Sequence, residues 1–371
     1  MKAPSIWDRL TRDQRLRTSH RINLMARAGC ADDIAACYTL HRSFGLPYSG
    51  ASWRALPDMW RVMLSKGTMK LFLVEDRARP LNSRVVSFNA IVFVTDKFCL
   101  RARSTLPPYL SVELARRYLW HQLPVLNREQ VARANAGGGL NVLMCFEGWA
   151  CDGLSPEQML SVREKQNEAL HLALSGYHLK EFLADTVGGE TSQWMLDAGA
   201  HLRRDYSNYF RKHRVPISKS QRRPCLVGLT KTEALAHPGS HLAGIFAYTP
   251  PRFRFNRSQR MLLQHALMGE TCDMLATSLC VSPWTIKKRW HAIYDRVADV
   301  DNELLPPPIA NGSRATSRGA ERRRHLLGYL RQHLEELRPF EPPKQRVTST
   351  LSEITDEACA SRSNESLQGR S

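Results

Sequence analysis

Basic and hydrogen-bonding side chains are concentrated between Phe255 and Val300. The apolar spacing there predicts three helices: one from about Arg257 to Met268, a second beginning at Thr271, and a third over 283–297 that Ser282 caps. Two short helices joined by a tight turn, with basic residues at the start of the second, can place that second helix in the DNA major groove. The chemistry indicated is recognition of a nucleic acid.

The third helix has two chemically different faces. At about 100° per residue, one stripe is apolar and predicts a core-facing side: Ile286, Trp290, Ile293 and Val297. The opposite side is cationic and rich in hydrogen-bonding groups: Trp284, Lys287, Lys288, His291 and Asp295. This phase predicts which side chains face outward.

Over about 45 residues the segment resembles the DNA-binding domain of LuxR-type regulators, also called GerE or FixJ/NarL-like. Phe255-Asn256 stands at the usual Leu-Thr start, Gly269 ends the first helix, and Ser282-x-x-Thr285-Ile286-Lys287 stands at the S-x-x-T-V-K signature. The match also includes the pair Leu275-Ala276. The sequence departs from the family at Gln259 and Arg289.

The resemblance implies a sequence-specific, DNA-binding transcriptional regulator that is not an enzyme. It assigns base contacts to Lys287, Lys288 and His291, and phosphate contacts to Thr271, Ser282, Thr285 and Arg289. The implied partner is double-stranded DNA; RNA polymerase and a second copy of the chain are further candidates. The alternatives are a structural or protein-binding bundle and a sigma-factor region.

Residues 1–210 alternate strands and helices, which predicts an α/β or α+β domain. The order of elements resembles the GNAT acetyltransferase fold, in which a glycine-rich loop before the helix after the fourth strand holds the acetyl-CoA pyrophosphate. We predict that loop at Cys99–Ser111, which has no glycine. The domain is therefore expected to be degenerate, with a sensory or interaction role, no catalytic residues and no cofactor.

An acyltransferase that carries a DNA-binding domain for localisation is the alternative. Three side chains are candidates for acid/base chemistry: Glu147, Asp152 and His178. Such residues are much more often ordinary loop and surface residues, so we assign them no role.

The remaining segments predict connecting and terminal regions. A basic linker is expected over 211–250, the helix-turn-helix domain over 251–300, an amphipathic helix over 319–338 and a disordered tail over 341–371. The amphipathic helix is expected either to dimerise or dock, or to pack against its own chain.

Composition limits the classes of protein. The net charge is +18, and 41 of the 53 basic residues are arginine, which favours a polyanionic partner; codon bias in a GC-rich genome is the alternative explanation. No apolar run is long enough for a membrane span or a secretory signal. Nine cysteines without metal-ligand spacing predict reduced thiols in a cytoplasmic, nucleoid-associated protein, with no metal site.

Overall fold

The computed structural model describes residues 22–150, 154–187, 189–213, 224–306 and 315–342. In these residues the strands are β1 (Leu24–Ala28), β2 (Met69–Asp76), β3 (Val85–Val94), β4 (Leu140–Trp149), β5 (Leu179–Val187), β6 (His201–Asp205) and β7 (Pro224–Thr230). They form one seven-stranded sheet in the order β1-β2-β3-β4-β5-β7-β6.

The helices of the described residues fall into two groups. The first accompanies the sheet: α1 (Ile34–Arg42), α2 (Gly50–Ser65), α3 (Asp96–Ser104), α4 (Leu110–Leu119), α5 (Arg128–Ala136), α6 (Pro156–Leu174), α7 (Gly189–Asp197), α8 (Ser207–His213) and α9 (Lys231–Ala236). The second follows it: α10 (Arg257–Leu267), α11 (Cys272–Ser278), α12 (Pro283–Val300) and α13 (Ala315–Gln332). Short 3-10 turns include His241–Phe246 and Leu334–Leu337.

One strand pair gives the sheet its mixed character. Strands β4 and β5 are parallel, whereas the other neighbouring pairs are antiparallel. A parallel pair needs a crossover connection, which here is α6. The prediction of a mixed α/β domain with flanking helices is confirmed.

The sheet separates two apolar cores. One core packs α1, α2 and α4 on one face and includes Leu56, Trp60, Phe88 and Phe146. The other packs α6 and the turn His241–Phe246 on the opposite face and includes Phe182. Both faces of β3 are covered, and this explains why nine of its ten residues are buried.

The sheet extends beyond the residues expected to end it. The sequence predicts a basic linker over 211–250, but Pro224–Thr230 forms β7 between β5 and β6. Its interior residues pair with both neighbours, so this short apolar strand is held by tertiary contacts that no local pattern encodes. Residues 214–223 of the linker and 343–371 of the tail lie outside the described residues.

Helices α10 to α13 enclose a third core. The apolar stripe predicted for the third helix is confirmed in α12, where Ile286, Ile293 and Val297 are fully buried and Trp290 is 6% exposed. Leu326 and Leu330 of α13 join the same core, so this helix packs on its own chain. Helices α10, α11 and α12 lie in the three predicted segments, whereas α13 spans Ala315–Gln332 where a helix over 319–338 is predicted.

Exchanging each of two tryptophans of α12 for alanine tests this core. Trp290→Ala should lower the free energy of unfolding by about 3–5 kcal/mol, because it leaves a cavity between the ring of Tyr294, which stacks on Trp290, and the guanidinium of Arg323, which lies over it. Trp284→Ala is the matched control, since Trp284 is 69% exposed, and should change it by less than about 0.5 kcal/mol. Thermal unfolding measures both; equal losses would mean that the burial assigned to the two rings is wrong.

Candidate active site

Strands β4 and β5 stop pairing with each other before either strand ends. Their pairing runs from Leu140 and Leu179 to Met144 and Ala184, and no pairing between them continues beyond that point. Strand β4 nevertheless remains paired with β3 as far as Trp149, and β5 with β7 as far as Val187. A gap, which we call the fork, therefore opens between Cys145–Trp149 and Asp185–Val187.

The direction of the backbone in β4 identifies the groups that face the fork. The amide of Ala150 donates to the carbonyl of Val86 on the β3 side at 2.8 Å. Successive residues of a strand direct their N–H and C=O groups to opposite sides. Glu147 is three residues before Ala150, so its N–H and C=O groups point away from β3 and toward the fork. In agreement, its carbonyl accepts a hydrogen bond from His41 and not from β3.

A bulge precedes this position. Ala90 of β3 pairs with Phe146 and Ile91 pairs with Met144, so Cys145 has no residue opposite it. Such a bulge shifts the alternation of side chains by one position. As a result both Cys145 and Phe146 contribute to the core on the α1 side, and Glu147 points to the other face.

A narrow cavity adjoins the fork on the α6 side. It has about 10 Å³ of space, enough for about one water molecule, and is lined by Asn89, Met144, Glu147, Trp149, Arg163, Gln166, Thr191 and Trp194. Asn89 Oδ1 and Trp149 Nε1 are buried without a protein hydrogen-bond partner. An acceptor and a donor thus lie beside the carboxyl group of Glu147, a residue that is 6% exposed.

On the α1 side, a chain of hydrogen bonds leads away from the fork. His41 Nδ1 lies 2.8 Å from the Glu147 carbonyl, and His41 Nε2 lies 2.9 Å from Tyr48 Oη. Burial lowers the pKa of His41 to about 4, so the ring is neutral at pH 7. Because a carbonyl only accepts, Nδ1 must carry the proton, and the Tyr48 hydroxyl must donate to Nε2. Ser111 in turn hydrogen bonds to Tyr48.

Gly148 allows α1 to approach β4 this closely. A Cβ atom there would lie 2.5 Å from the ring of Phe88 and 2.6 Å from Leu40 of α1. Any side chain would therefore push the helix away and break the contact between His41 and the Glu147 carbonyl.

Asp185 closes the same side of the fork. Its Oδ2 accepts a hydrogen bond of 2.5 Å from the amide of Leu110, at the start of α4. Burial, with a smaller contribution from the nearby charge of Glu147, raises the pKa of this carboxyl group to about 7 against the opposing effect of the Leu110 and Ser111 amides. Two acidic groups thus flank the fork, one from each strand.

The segment predicted to be the phosphate loop does not lie before the helix that follows the fourth strand. Cys99 and its neighbours form α3, and Leu110 and Ser111 begin α4, between β3 and β4. The helix after the fourth strand is α6, and the residues before it, Ala150–Ser155, include Gly153. The prediction that no glycine stands before the helix after the fourth strand is therefore wrong; residues 151–153 themselves lie outside the described residues.

The start of α6 offers few free donors to a phosphate. Ser155 and Gln158 form a reciprocal capping box that occupies both of their amides. Pro156 has no amide hydrogen, and Glu157 adds a negative charge to the first turn. The described residues of this helix start do not fit a pyrophosphate cradle.

The predicted DNA-contact residues lie apart from the fork, on α11 and α12. Lys287, Lys288 and His291 are exposed on one face, with the Lys288 ammonium 5.4 Å from the ring of Trp284. Thr271 and Ser282 cap α11 and α12, and the Ser282 hydroxyl accepts from the amide of Thr285. Arg289 is instead turned to a cleft of about 440 Å³ against α10. Their DNA contacts stay a prediction.

The other candidates do not join a site. His178 stacks on Tyr248 at 4.6 Å and lies 3.0 Å from Lys231 Nζ, far along β5 from the fork, and Asp152 lies outside the described residues. In the described part of the chain there is no group of three His, Cys, Asp or Glu side chains that could hold a metal ion. No described helix is long and apolar enough to cross a membrane.

Comparison with known proteins gives no match to any family model or any curated protein. Solved structures are similar. The C-terminal condensation domain of Ebony, in complex with beta-alanyl-dopamine, is 12% identical with a TM-score of 0.36, over 57% of this chain and all of that one. A spermidine/spermine N-acetyltransferase from Vibrio cholerae is 11% identical with a TM-score of 0.32, over 58% and 98%. An N-acyl amino acid synthase from uncultured soil microbes is 10% identical with a TM-score of 0.32, over 57% and 93%.

These findings correct the prediction of a non-enzymatic, DNA-binding transcriptional regulator. The similar structures carry the names of N-acetyltransferases and an N-acyl amino acid synthase, and no family model supports a LuxR-type domain. The prediction rested on a helical motif of about 45 residues, whereas the sheet domain makes up the larger part of the described chain. With TM-scores of 0.36 or less and identities of 12% or less, these similarities assign no activity to this chain. Its chemistry must be argued from its own residues.

The raised pKa of Asp185 makes a prediction about stability. Because the folded-state pKa is about 7 and the usual value is 3.8, the protonated carboxyl group contributes stability at low pH, and this stability is lost as pH rises from about 4 to 7. Asn cannot ionise, so Asp185→Asn should not show this pH-dependent loss, which is on the order of 4 kcal/mol. Thermal unfolding across this pH range should show a flatter profile for the variant than for the wild type. Asp197→Asn, at an exposed position on α7, is the control, and matching profiles for Asp185→Asn and wild type would contradict the assignment.

Proposed function

We propose that the protein is an N-acyltransferase, which moves an acyl group from a thioester to an amine at the fork between β4 and β5. The observation that carries this proposal is the buried carboxyl group of Glu147, which lies on the part of β4 that no longer pairs with its parallel neighbour β5. In this proposal an extended acyl chain enters the gap between the diverging strands, and the unpaired backbone edge of β4 holds a carbonyl oxygen.

Glu147 has two tasks in this proposal. Its backbone amide, which faces the fork, donates a hydrogen bond to the oxygen of the thioester carbonyl as negative charge develops there. Its side chain accepts the proton that the amine nitrogen loses as the new C–N bond forms. When the C–S bond breaks, the same carboxyl group returns the proton to the leaving sulfur, so that amide and thiol are the products.

The groups behind Glu147 hold it in place. The neutral His41 donates to the Glu147 carbonyl and so fixes the peptide plane on which the amide direction depends. Asn89 Oδ1 and Trp149 Nε1 lie in the adjoining cavity with unused hydrogen-bonding capacity, and they suit the polar atoms of an acceptor or of the amide-bearing arm of a thioester.

An assay of the full-length chain tests the proposal. Acyl coenzyme A thioesters of increasing chain length are offered with a panel of primary amines, and the free thiol and the amide product are measured. We expect thiol release that depends on the amine. Glu147→Gln keeps the shape and the backbone amide but removes the proton acceptor, so kcat should fall roughly 100-fold or more.

Glu164→Gln is the matched control, because Glu164 is exposed on α6 and does not line the cavity. It should keep wild-type kcat. Full activity in Glu147→Gln would remove Glu147 from the reaction, and absence of amide with every thioester and amine would overturn the acyltransferase proposal.

A further inference from the structure

A cleft of about 440 Å³, which we call the α10–α12 cleft, lies between α10, the end of α11 and α12. Its volume falls within the usual range for small-molecule sites, roughly 300–1,000 Å³. Six residues line it: Asn256, Arg257, Ser258, Met261, Leu279 and Arg289. Two of these side chains are cationic, two are apolar and none is acidic. The cleft therefore offers a small molecule both positive charge and an apolar surface.

The α10 side of the cleft changes from charged to apolar within about one turn. Met261 follows Ser258 by three residues and Arg257 by four, and side chains at these spacings share one face of a helix. Met261 is half-buried, and Leu279, just after the end of α11, adds a second half-buried apolar side chain. Because both keep part of their surface in water, a ligand that covers them gains the hydrophobic contribution of that surface.

A polar contact brings the two cationic turns together. Gln259 Nε2, in the first turn of α10, lies 3.5 Å from the carbonyl of Ala292 in α12. Arg257 belongs to the same turn as Gln259, and Arg289 lies three residues before Ala292. The two guanidinium groups thus line one cleft from two neighbouring helices, and an anion between these helices can receive donors from both.

The fold does not use either of these arginines in a polar contact. Elsewhere a half-buried arginine has a carboxylate partner, as Arg117 has in Glu113 at 2.6 Å. Arg289 is also half-buried, yet among the described residues neither it nor Arg257 has an ion-pair partner. A guanidinium held beside apolar side chains loses part of its hydration and is stabilised when an acceptor completes its hydrogen bonds. The charge of the cleft therefore favours an anionic ligand.

We propose that the α10–α12 cleft binds an amphipathic small molecule, an apolar chain that ends in an oxyanion such as a carboxylate or a phosphate. The oxyanion lies between Arg257 and Arg289, whose forked donors match its oxygen atoms. The chain lies along Met261 and Leu279, where the flexible thioether of Met261 adapts to its shape. This site belongs to the C-terminal helices and not to the fork, so it goes beyond acyl transfer and does not depend on it.

Either half of such a ligand should bind weakly on its own. A short carboxylate such as acetate gains only contacts at an open, hydrated site, where ion pairs contribute little. A neutral chain such as octanol covers the apolar side chains but leaves both guanidinium groups without an acceptor and partly removed from water. Octanoate and octyl phosphate combine the two halves, so a gain over both fragments is the signature of the proposed site.

Calorimetric titration of the full-length chain with these four compounds tests the proposal. The ionic strength is held constant, so that screening acts equally in every titration, and each compound stays below its micelle-forming concentration. Octanoate and octyl phosphate should bind roughly tenfold or more tighter than acetate and octanol. The tighter of the two identifies the preferred head group, and equal affinities assign recognition to the negative charge that they share.

Substitutions locate the binding in the cleft. Arg289→Gln removes one charge-assisted contact and should weaken octanoate binding roughly tenfold or more. Arg257→Gln, at an exposed position, should give a similar loss and replaces Arg289→Gln if that variant does not fold. Met261→Gln keeps the length of the side chain and should reduce the advantage of octanoate over acetate. Lys287→Gln is the matched control, because Lys287 is exposed on the same helix as Arg289 and does not line the cleft.

Glu147→Gln distinguishes the cleft from the fork, where an acyl chain is also proposed to enter. If octanoate occupies the cleft, Glu147→Gln and Lys287→Gln should bind it as the wild type does. The proposal is overturned if octanol or acetate binds as tightly as octanoate and octyl phosphate, or if both arginine variants keep wild-type affinity. A loss in Glu147→Gln alone would place the chain at the fork and would equally overturn it. None of these titrations measures amide formation, so the acyltransferase proposal is tested separately.

Discussion

The need to satisfy buried backbone groups controls the architecture around the fork. A buried N–H or C=O group that loses its strand partner must find another or cost free energy. Beyond Met144, strand β4 loses β5 on one side and keeps β3 on the other. The carbonyl of Glu147 is one of the groups left without a strand partner, and His41 supplies its replacement. The opening at which we propose acyl transfer is thus the same feature that requires a buried histidine.

The helices on the α1 side follow from this requirement. His41 can reach β4 only because Gly148 has no side chain in the path of α1. Asp185, on the opposite strand of the fork, accepts from the first amide of α4, a group that every helix leaves without an internal partner. A carboxylate at that position ties the helix start to β5 and keeps an acidic group in a nearly dry environment. The raised pKa of Asp185 is the electrostatic consequence of a contact that also positions α4.

Local patterns predicted elements well and their spatial partners poorly. The alternation of strands and helices over 1–210 predicts the mixed α/β domain correctly, and the 3.6-residue period gives the buried stripe of α12. The partner of His41 is 106 residues away in sequence, so its role could not be read from the helix that carries it. Glu147 was recognisable as a carboxyl group but not as a buried one, since β4 continues past Phe146, where the apolar run ends.

The same distinction applies to the net charge of +18. Composition alone favours a polyanionic partner, but the arginines of the structure do several different things. Some are paired with carboxylates, as Arg203 is with Glu233. Others hold backbone carbonyls, as Arg296 does at Phe253 and Arg338 at Ser175. An excess of cations therefore does not by itself indicate a ligand, because these arginines hold the fold together, while water solvates the charge of the exposed lysines of α12.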